Sequence, residues 1–433
     1  MDYPLNVSNP GNWVTSAADM PSPLSLFAAY GIEIEYMIVD RQHLNVLPIT
    51  DKLIYEVAGE YLNEIEHTEV AWSNELVLHV VEIKTNGPAK SLAAVAEHFQ
   101  NNLHSIQAIL DNMDARLMPT AMHPWMNPFL ETTLWPHGQT EIYDTYNRIF
   151  NCEGHGWSNL QSMHINLPFA NNREFARLHS AIRILLPVLP AIAASSPIVE
   201  ASFTGMMDTR LETYRQNSKK IPSITGLVIP EPVTTKEAYR KLILNPMYKD
   251  IAPFDPDNIL QDEWLNSRGA IARFDRNAIE IRVLDTQEMP LVDLSIATFI
   301  VEVLKKITDR NWSEVKQQNE IDTEALAAIL SEVIINADKA FIDNRDYLRL
   351  FNFPDKKCSA QDLWQYLGES VNLETSECPA KTREIINFIL KHGPLSRRII
   401  NATGTRFRKS RLFETYRVLC DCLMDGEMFV GID

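Results

Sequence analysis

Polar and apolar side chains alternate along four short segments of the chain. The clearest segment is residues 31–40, GIEIEYMIVD, in which acidic and apolar side chains alternate before the run becomes fully apolar. Similar patterns occur in residues 75–85, 163–168 and 278–285. A period of two is typical of a β-strand that buries one face, because successive side chains point to opposite faces. The pattern therefore predicts four strands.

The apolar positions change to a helical period after residue 88. One helical face collects Leu92, Val95, Phe99, Leu103, Ile106 and Leu110. Residues 172–194 also predict a helix, whereas residues 195–232 predict a long loop. From about residue 291 onward the pattern is helical almost throughout, and Ser359 with Asp362 predicts a capping box at the start of one helix. Separated strands followed by helices indicate an α+β fold.

Charge and composition exclude several classes of partner. The chain has 433 residues, with 40 Lys and Arg against 57 Asp and Glu, and a formal net charge of −17. Such a charge repels phosphates and anionic lipids, so we expect neither nucleic acid nor a membrane as partner. The longest apolar run, residues 184–194, is too short to span a bilayer. An odd number of cysteines, five, and the absence of any basic residue before Arg41 favour a cytoplasmic protein.

Charged residues inside the predicted strands are the strongest chemical signal. Positions i and i+2 of a strand share a face, and three segments use this spacing for polar pairs. The pairs are Glu33 with Glu35, His164 with Asn166, and Glu280 with Arg282. One such pair is what any solvent-facing strand shows, but glutamates gathered with an imidazole suit Mg²⁺ or Mn²⁺. With an arginine fork for phosphate on the same face, the pattern predicts a metal–nucleotide site on an open sheet.

The segment from Glu75 to Glu82 is less regular. Its spacing of seven puts the two acids on opposite faces of a regular strand, so either a bulge intervenes or Glu75 lies in the preceding turn. His79 shares the parity of Glu75, and we interpret it as an ordinary polar strand residue. Lys84 shares the parity of Glu82 and could simply pair with it.

Five short motifs occur in order along the chain. They are Gly31-Ile-Glu-Ile-Glu-Tyr36, the segment from Glu75 to Thr85, His123-Pro124, Gln161-Ser-Met-His-Ile-Asn166 and Ile279-Glu-Ile-Arg-Val-Leu-Asp285. Together they resemble motifs of the glutamate–cysteine ligase family, in particular of its bacterial carboxylate–amine ligase branch. The resemblance implies a glutamine-synthetase-like fold, in which a curved antiparallel sheet forms a funnel with helices on its outer face. We accordingly predict an irregular N-terminal arm (1–25), a catalytic domain (26–305) and a helical C-terminal region packed on it (306–433).

The resemblance also implies a role for individual residues. The metal ligands of the family carry over to Glu33, Glu35, Glu82, His164 and Glu280, and less directly to Glu75. Arg282 takes the role of contacting the transferred phosphate, Arg215 is placed near substrate or phosphate, and Arg273 is a further nucleotide contact. The implied cofactors are ATP and Mg²⁺, with Mn²⁺ as the alternative ion. One ion would lie between Glu33, His164 and Glu280, and another between Glu35, Glu82 and Glu75.

The activity implied by the resemblance is ATP-dependent amide formation between a small-molecule carboxylate, by default the γ-carboxylate of glutamate, and an amine. A carboxylate does not acylate an amine at neutral pH because its leaving group would be oxide, and phosphorylation by ATP solves this. Two alternatives stay open, a guanidino-type phosphotransferase on the same fold and a non-catalytic nucleotide-binding homologue. The C-terminal helices could pack on the funnel, form the contact of a homodimer or close over substrate.

Overall fold

The computed structural model describes residues 23–374 and 378–432. Most of the irregular arm predicted at residues 1–25 therefore lies outside the described residues. In the described parts, the strands in chain order are β1 (Gly31–Asp40), β2 (Glu64–Glu66), β3 (Val70–Asn74), β4 (Val80–Thr85), β5 (Ala115–Met118), β6 (Ser162–Pro168), β7 (Ile198–Val199), β8 (Ser202–Phe203), β9 (Ala270–Arg273), β10 (Ala278–Asp285), β11 (Phe341–Ile342) and β12 (Cys358–Ser359). All four segments with alternating patterns contribute a strand.

Eight of these strands form one open antiparallel sheet. Its order is β2-β3-β4-β1-β6-β10-β9, and β5 pairs with the far end of β1. The central strand β1 is thus bounded by β4 on one side and β6 on the other. Glu75 lies outside any strand, in the connection between β3 and β4, which is one of the two positions that its spacing allowed.

The helices in the same parts of the chain are α1 (Thr50–Ala58), α2 (Leu92–Leu110), α3 (Pro128–Glu131), α4 (Thr140–Phe150), α5 (His155–Ser158), α6 (Asn172–Leu185), α7 (Pro190–Ala193), α8 (Thr209–Asn217), α9 (Lys236–Tyr239), α10 (Asn245–Ile251), α11 (Pro290–Thr308), α12 (Val315–Glu320), α13 (Thr323–Asn336), α14 (Arg345–Arg349), α15 (Ala360–Ser370), α16 (Ala380–His392), α17 (Leu395–Thr403) and α18 (Lys409–Asp425). The predicted helix after residue 88 is α2. The predicted capping box is confirmed at the start of α15, where Ser359 and Asp362 bond reciprocally to backbone N–H groups. None of these helices combines the length and the apolar character needed to cross a bilayer.

Helices α2, α6 and α11 cover one face of the sheet. Ile32 and Ile34 of β1 share a hydrophobic core with Phe99 and Leu103 of α2, and all four side chains are fully buried. Burial of one face by helices while the other carries charge is the cause of the alternating pattern in β1. The α+β prediction, with helices on the outer face of the sheet and a helical C-terminal region, is confirmed.

The segment predicted as a long loop, residues 195–232, differs from that prediction because it contains α8. The side chain of Asp208 accepts a hydrogen bond from the backbone N–H of Leu211 and caps the helix. Only Arg210 and Leu211 are buried in α8, so its apolar periodicity is too weak to stand out from the flanking loop residues.

The C-terminal helices pack on α6 and the residues that follow it. The Tyr347 hydroxyl donates to the Ile184 carbonyl (3.0 Å), and the indole N–H of Trp364 donates to the Val188 carbonyl (2.8 Å). Both aromatic side chains are fully buried. These contacts hold α14 and α15 against the helical layer of the sheet, away from its charged face.

Candidate active site

A cavity of about 730 Å³ lies on the charged face of the sheet. Strands β1, β4, β6 and β10 supply most of its charged lining, with the turn before β4 and the segment after it. It is lined by every residue that we predicted as a metal ligand and by two of the three predicted arginines, namely Glu33, Glu35, Glu75, Glu82, His164, Glu280, Arg273 and Arg282. Eight side chains from distant parts of the sequence therefore converge on one concave surface.

Strand register explains this convergence. Glu33 lies directly opposite His164 in the pairing of β1 with β6, and Glu35 lies directly opposite Glu82 in the pairing of β1 with β4. Directly opposed residues point to the same face of a sheet. Asn166 lies opposite Gly31, where a Cβ atom would approach the Asn166 Cβ to 3.0 Å. The small residue at this position thus allows the Asn166 amide to donate to Glu33 (3.0 Å).

The ligand atoms form two groups, in each of which they lie within 4.8 Å of one another. We call Glu33, His164 and Glu280 the histidine cluster. The carboxylate cluster consists of Glu35, Glu75 and Glu82. These are the two sets that the family resemblance implied for two ions.

In the histidine cluster, the imidazole lies between two carboxylates. Nδ1 of His164 is 3.1 Å from Glu33 and 3.6 Å from Glu280. Burial lowers the pKa of His164, but the hydrogen bond to Glu33 and the charges of Glu280 and Glu33 outweigh it, so the pKa is raised. For Glu33, burial raises the pKa, but the hydrogen bond from His164 and the charge of His164 lower it to about 2. The cluster is held together by opposite charges.

Two arginines converge on the carboxylate of Glu280, which is almost fully buried. Nε of Arg282 donates to one of its oxygens, and Nη1 of Arg273 lies 3.6 Å from the other. Burial lowers the pKa of Arg282, but the nearby charge of Glu280 outweighs it and the pKa is raised. Both guanidinium groups line the cavity, where they can bind phosphate oxygens.

The carboxylate cluster has fewer cationic neighbours. Glu82 accepts a hydrogen bond from the Ser73 hydroxyl (2.7 Å) and lies 3.3 Å from the Lys84 ammonium, and Glu35 accepts from the backbone N–H of Ser162 (3.0 Å). Burial and the charge of Glu82 raise the pKa of Glu35 to about 7. The pKa of Glu82 is also raised by burial, and that of Glu75 by burial and by the charges of Glu35 and Glu82.

Both donor sets fit hard divalent cations. Five carboxylates and one imidazole offer oxygen and nitrogen ligands of the kind that Mg²⁺ and Mn²⁺ accept. Burial is the largest cause of the raised pKa values in the carboxylate cluster, and neighbouring carboxylates add to it. A bound cation would favour the ionised form of these acids.

Arg215 is the predicted site residue that the structure does not bring to the cavity. It lies near the end of α8, where its guanidinium contacts Glu212 and donates to the Ser331 hydroxyl (3.0 Å). Its role near substrate or phosphate stays a prediction.

Three charged lining residues, Glu64, Lys84 and Arg276, were not among our predicted site residues. Glu64 lies on the three-residue strand β2, and Arg276 lies in the turn between β9 and β10. Neither segment is long enough to show a periodic signal. Lys84 had the parity of Glu82 and is indeed paired with it, so its presence in the cavity was open to inference from the spacing.

His79 and His123 lie outside the cavity and make structural contacts. Nε2 of His79 is 2.8 Å from the Ser158 carbonyl, and Nε2 of His123 is 2.7 Å from the Leu44 carbonyl. Both side chains are fully buried, and burial lowers the pKa of His79 to about 4 and that of His123 to about 3. His79 is therefore an ordinary polar residue, as we interpreted it, but it lies just before β4 and not within a strand.

The chain resembles known proteins over most of its length. Residues 29–351 match the model of the family described as Glutamate-cysteine ligase family 2 (GCS2). An uncharacterized protein from Archaeoglobus fulgidus is 37% identical over 275 residues, which cover 64% of this chain and 73% of that protein.

Two solved structures match the chain at lower sequence identity. A glutamate–cysteine ligase from Francisella tularensis in complex with AMP matches with a TM-score of 0.56 and 14% identity, over 93% of this chain and 90% of that chain. The ligase PafA, in its complex with the prokaryotic ubiquitin-like protein Pup, matches with a TM-score of 0.43 and 12% identity, over 93% of this chain and 70% of that chain. The first of these shows a shared fold.

Proposed function

The chain belongs to the glutamate–cysteine ligase family 2, and we propose from this that it is an ATP-dependent ligase that joins a small carboxylate to an amine. One observation carries the proposal beyond family membership. Two clusters of metal-ligand side chains lie in a single cavity, and two arginines line that cavity beside them. Phosphoryl transfer depends mainly on positioning and on neutralisation of charge, which is what such a surface supplies.

The proposed reaction has two steps. An oxygen of the acceptor carboxylate attacks the γ-phosphorus of ATP, so that an O–P bond forms and ADP leaves. The amine then attacks the carbonyl carbon of the acyl phosphate, a C–N bond forms, and inorganic phosphate leaves as the nitrogen loses a proton. From the family, we propose the γ-carboxylate of glutamate as the acceptor.

The two clusters would each hold a divalent cation, one between Glu33, His164 and Glu280 and the other between Glu35, Glu75 and Glu82. When bound, Mg²⁺ or Mn²⁺ neutralises phosphate charge and orients the phosphoryl group. His164 must be neutral to act as a ligand, so acid should lower activity. The donor chemistry of both sets supports this assignment.

Arg282 has the role of stabilising charge on the transferred phosphoryl group. Its guanidinium lines the cavity, and its bond to the buried Glu280 fixes its orientation before substrate arrives. Preorganised donors of this kind are worth several kcal/mol in a transition state. Arg273 lies on the other oxygen of Glu280 and would bind nucleotide phosphate.

The decisive experiment identifies all products. The protein is incubated with ATP, Mg²⁺ and a panel of amino acids as acceptors and amines, and ADP, free phosphate and new amides are measured by coupled assay and mass spectrometry. We expect ADP and phosphate in equal amounts with one amide. ADP with a phosphorylated acceptor and no free phosphate would indicate the phosphotransferase instead.

A separate measurement addresses the non-catalytic alternative. Calorimetric titration with Mg-ATP compares the wild type with the Glu280→Ala variant, and Asp309→Asn, an exposed acid outside the cavity, serves as control. We expect binding to weaken only in Glu280→Ala. Binding that is the same in all three proteins, together with no turnover, would contradict the ligase assignment.

A further inference from the structure

Two large apolar side chains project from the surface at α3. Phe129 is 68% exposed and Leu130 is 82% exposed, the latter being the largest exposed fraction among the large apolar residues of the described chain. Most residues of this kind are buried in a monomer, and an exposed neighbouring pair often marks an interaction surface. Glu131 follows directly and ends the helix. We call Phe129, Leu130 and Glu131 the knob.

The knob is held rigidly. The Asn127 side chain accepts a hydrogen bond from the backbone N–H of Phe129 (3.1 Å), and Glu131 accepts one from the backbone N–H of Asn127 (2.6 Å). Pro128, at the first helical position, is buried beneath it. These two capping bonds fix the backbone of the short helix, and with it the direction in which Phe129 and Leu130 leave the surface.

A groove of about 660 Å³ lies directly beside the knob, since Met126 and Asn127 belong to its lining. Its wall is aromatic, with the rings of Trp125 and Phe413 at a centroid distance of 6.3 Å. Trp125 is fixed from behind by Tyr416, which is fully buried, at 6.0 Å. The groove is therefore preformed and can take apolar side chains.

The rim of the groove carries an unpaired cation. Lys409 lines it, and the side chains of Arg406, Arg408 and Lys409 form no ion pair within the described residues. All three are exposed on a chain with a net charge of −17. Among the described residues that line the groove, Glu200 is acidic, and it lies 3.5 Å from Nε2 of His155.

We propose that this face is the contact between two copies of the chain, with the knob of each copy inserted into the groove of the other. The apolar side chains of Phe129 and Leu130 match the aromatic wall, and the carboxylate of Glu131 matches the unpaired charge of Lys409. A knob beside its complementary groove is the arrangement that a two-fold axis requires, because both contacts then form at once and the assembly closes.

This inference goes beyond the proposed function, since neither the knob nor the groove lines the active-site cavity. If the dimer proposal fails, the ligase proposal is unaffected, and the reverse also holds. The test is sedimentation velocity of the full chain, with circular dichroism to confirm that every variant is folded. We expect the wild type to be a dimer at about 10 μM chain, within the usual range of specific association.

The Leu130→Asp variant should weaken the dimer about 100-fold or more, because it places a charge in both apolar contacts. Lys409→Glu should weaken it about tenfold, because it sets like charges against each other across both contacts. Leu242→Asp makes the same substitution at a leucine that is 52% exposed and lies outside the knob and the groove, and it should leave the dimer unchanged.

Mixing Lys409→Glu with Glu131→Lys separates this arrangement from any other dimer. In a mixed pair, the two reversed charges face each other in one contact, and the wild-type Glu131 and Lys409 face each other in the second, so both contacts are attractive. We expect the mixture to dimerise about tenfold more tightly than either variant alone. A monomeric wild type, a Leu130→Asp dimer of normal affinity, or a mixture no tighter than its two components would each overturn the proposal.

Discussion

The histidine cluster and the carboxylate cluster lie side by side on one sheet, yet their charges are neutralised differently. Beside the histidine cluster, the Arg282 guanidinium bonds to Glu280, and the pKa of Glu33 falls to about 2. Beside the carboxylate cluster, the ammonium of Lys84 lies 3.3 Å from Glu82, and the pKa values of all three carboxyls are raised. The first cluster contains His164 and contacts two guanidinium groups, whereas the second contacts a single ammonium group among the described residues.

The difference identifies the cluster that most needs an added cation. Buried carboxylates without enough positive charge either hold protons or bind a metal ion. We therefore expect a divalent cation to change protonation and stability mainly at the carboxylate cluster. In the histidine cluster, where the pKa of Glu33 is low and His164 gives up its proton to bind a cation, the main effect should be on the rate of phosphoryl transfer.

The largest effect should come from Glu280→Gln in the histidine cluster. This change removes a ligand charge and the partner of Arg282 together, and we expect the rate of ADP formation to fall about 10³-fold or more. Steady-state kinetics with saturating Mg²⁺ measures it, and Asp309→Asn should keep the wild-type rate. A Glu280→Gln enzyme within tenfold of the wild type would remove the distinction between the clusters.

A smaller effect, on metal requirement, should come from Glu75→Gln in the carboxylate cluster. We expect the Mg²⁺ concentration for half-maximal activity to rise about 100-fold, because a charged ligand becomes neutral. The rate at saturating Mg²⁺ should change much less. Glu66→Gln, at the exposed end of β2 and outside the cavity, is the matched control. Equal Mg²⁺ curves for both variants would mean that Glu75 holds no ion.

The carboxylate cluster should also make Mg²⁺ binding depend on pH. The pKa of Glu35 is about 7 in the folded protein against an ordinary 4.5. Between these values the folded, metal-free chain keeps a proton that the unfolded chain releases, so its stability falls as pH rises through this window. Because Mg²⁺ must displace the proton, its apparent affinity should rise by up to about tenfold per pH unit there.

Thermal denaturation with and without Mg²⁺, from about pH 5 to pH 8, measures this linkage. The gain in melting temperature on adding Mg²⁺ should grow as pH rises up to and through the pKa of Glu35. In Glu35→Gln the growth should shrink. A gain that is constant across the range would contradict the raised pKa.

The smallest effect should come from Lys84→Met. Removal of this ammonium leaves the carboxylate cluster without its nearest positive charge, so Mg²⁺ should bind up to about tenfold more tightly. Calorimetric titration measures the change, with the exposed Lys90→Met as control. Weaker binding would instead show that Lys84 mainly positions Glu82, through its contacts with Glu64 and Glu82.

The strands and most of the charged residues that line the cavity could be predicted because their signal is local. Alternation in β1 placed Glu33 and Glu35 on one face without any knowledge of neighbouring strands. The spacing narrowed Glu75 to a bulge or a turn but could not choose between them, because residues 133–135 shape its turn. The Leu78 N–H donates to the Thr133 carbonyl, and the Trp135 N–H donates to the Leu76 carbonyl. A turn whose shape depends on hydrogen bonds to residues far along the chain has no periodic pattern in its own sequence.

Arg215 shows the same limit in another form. The resemblance placed it near phosphate, but its partner Ser331 comes from α13, and such a pairing depends on how α8 and α13 pack. The residues alone also gave no reason to divide six ligands into two sets. The family resemblance supplied that division, and the distances between ligand atoms agree with it.

The sequence by itself determined which side chains share the face of a strand, because a period of two follows from backbone geometry within a few residues. Only the tertiary structure decided which strands are neighbours and in what register, so that Glu33 meets His164 and Glu35 meets Glu82. Register is set by the long-range burial of the opposite face, where Ile34 packs beneath the helices, and a slip of one residue would turn the ligands into the core.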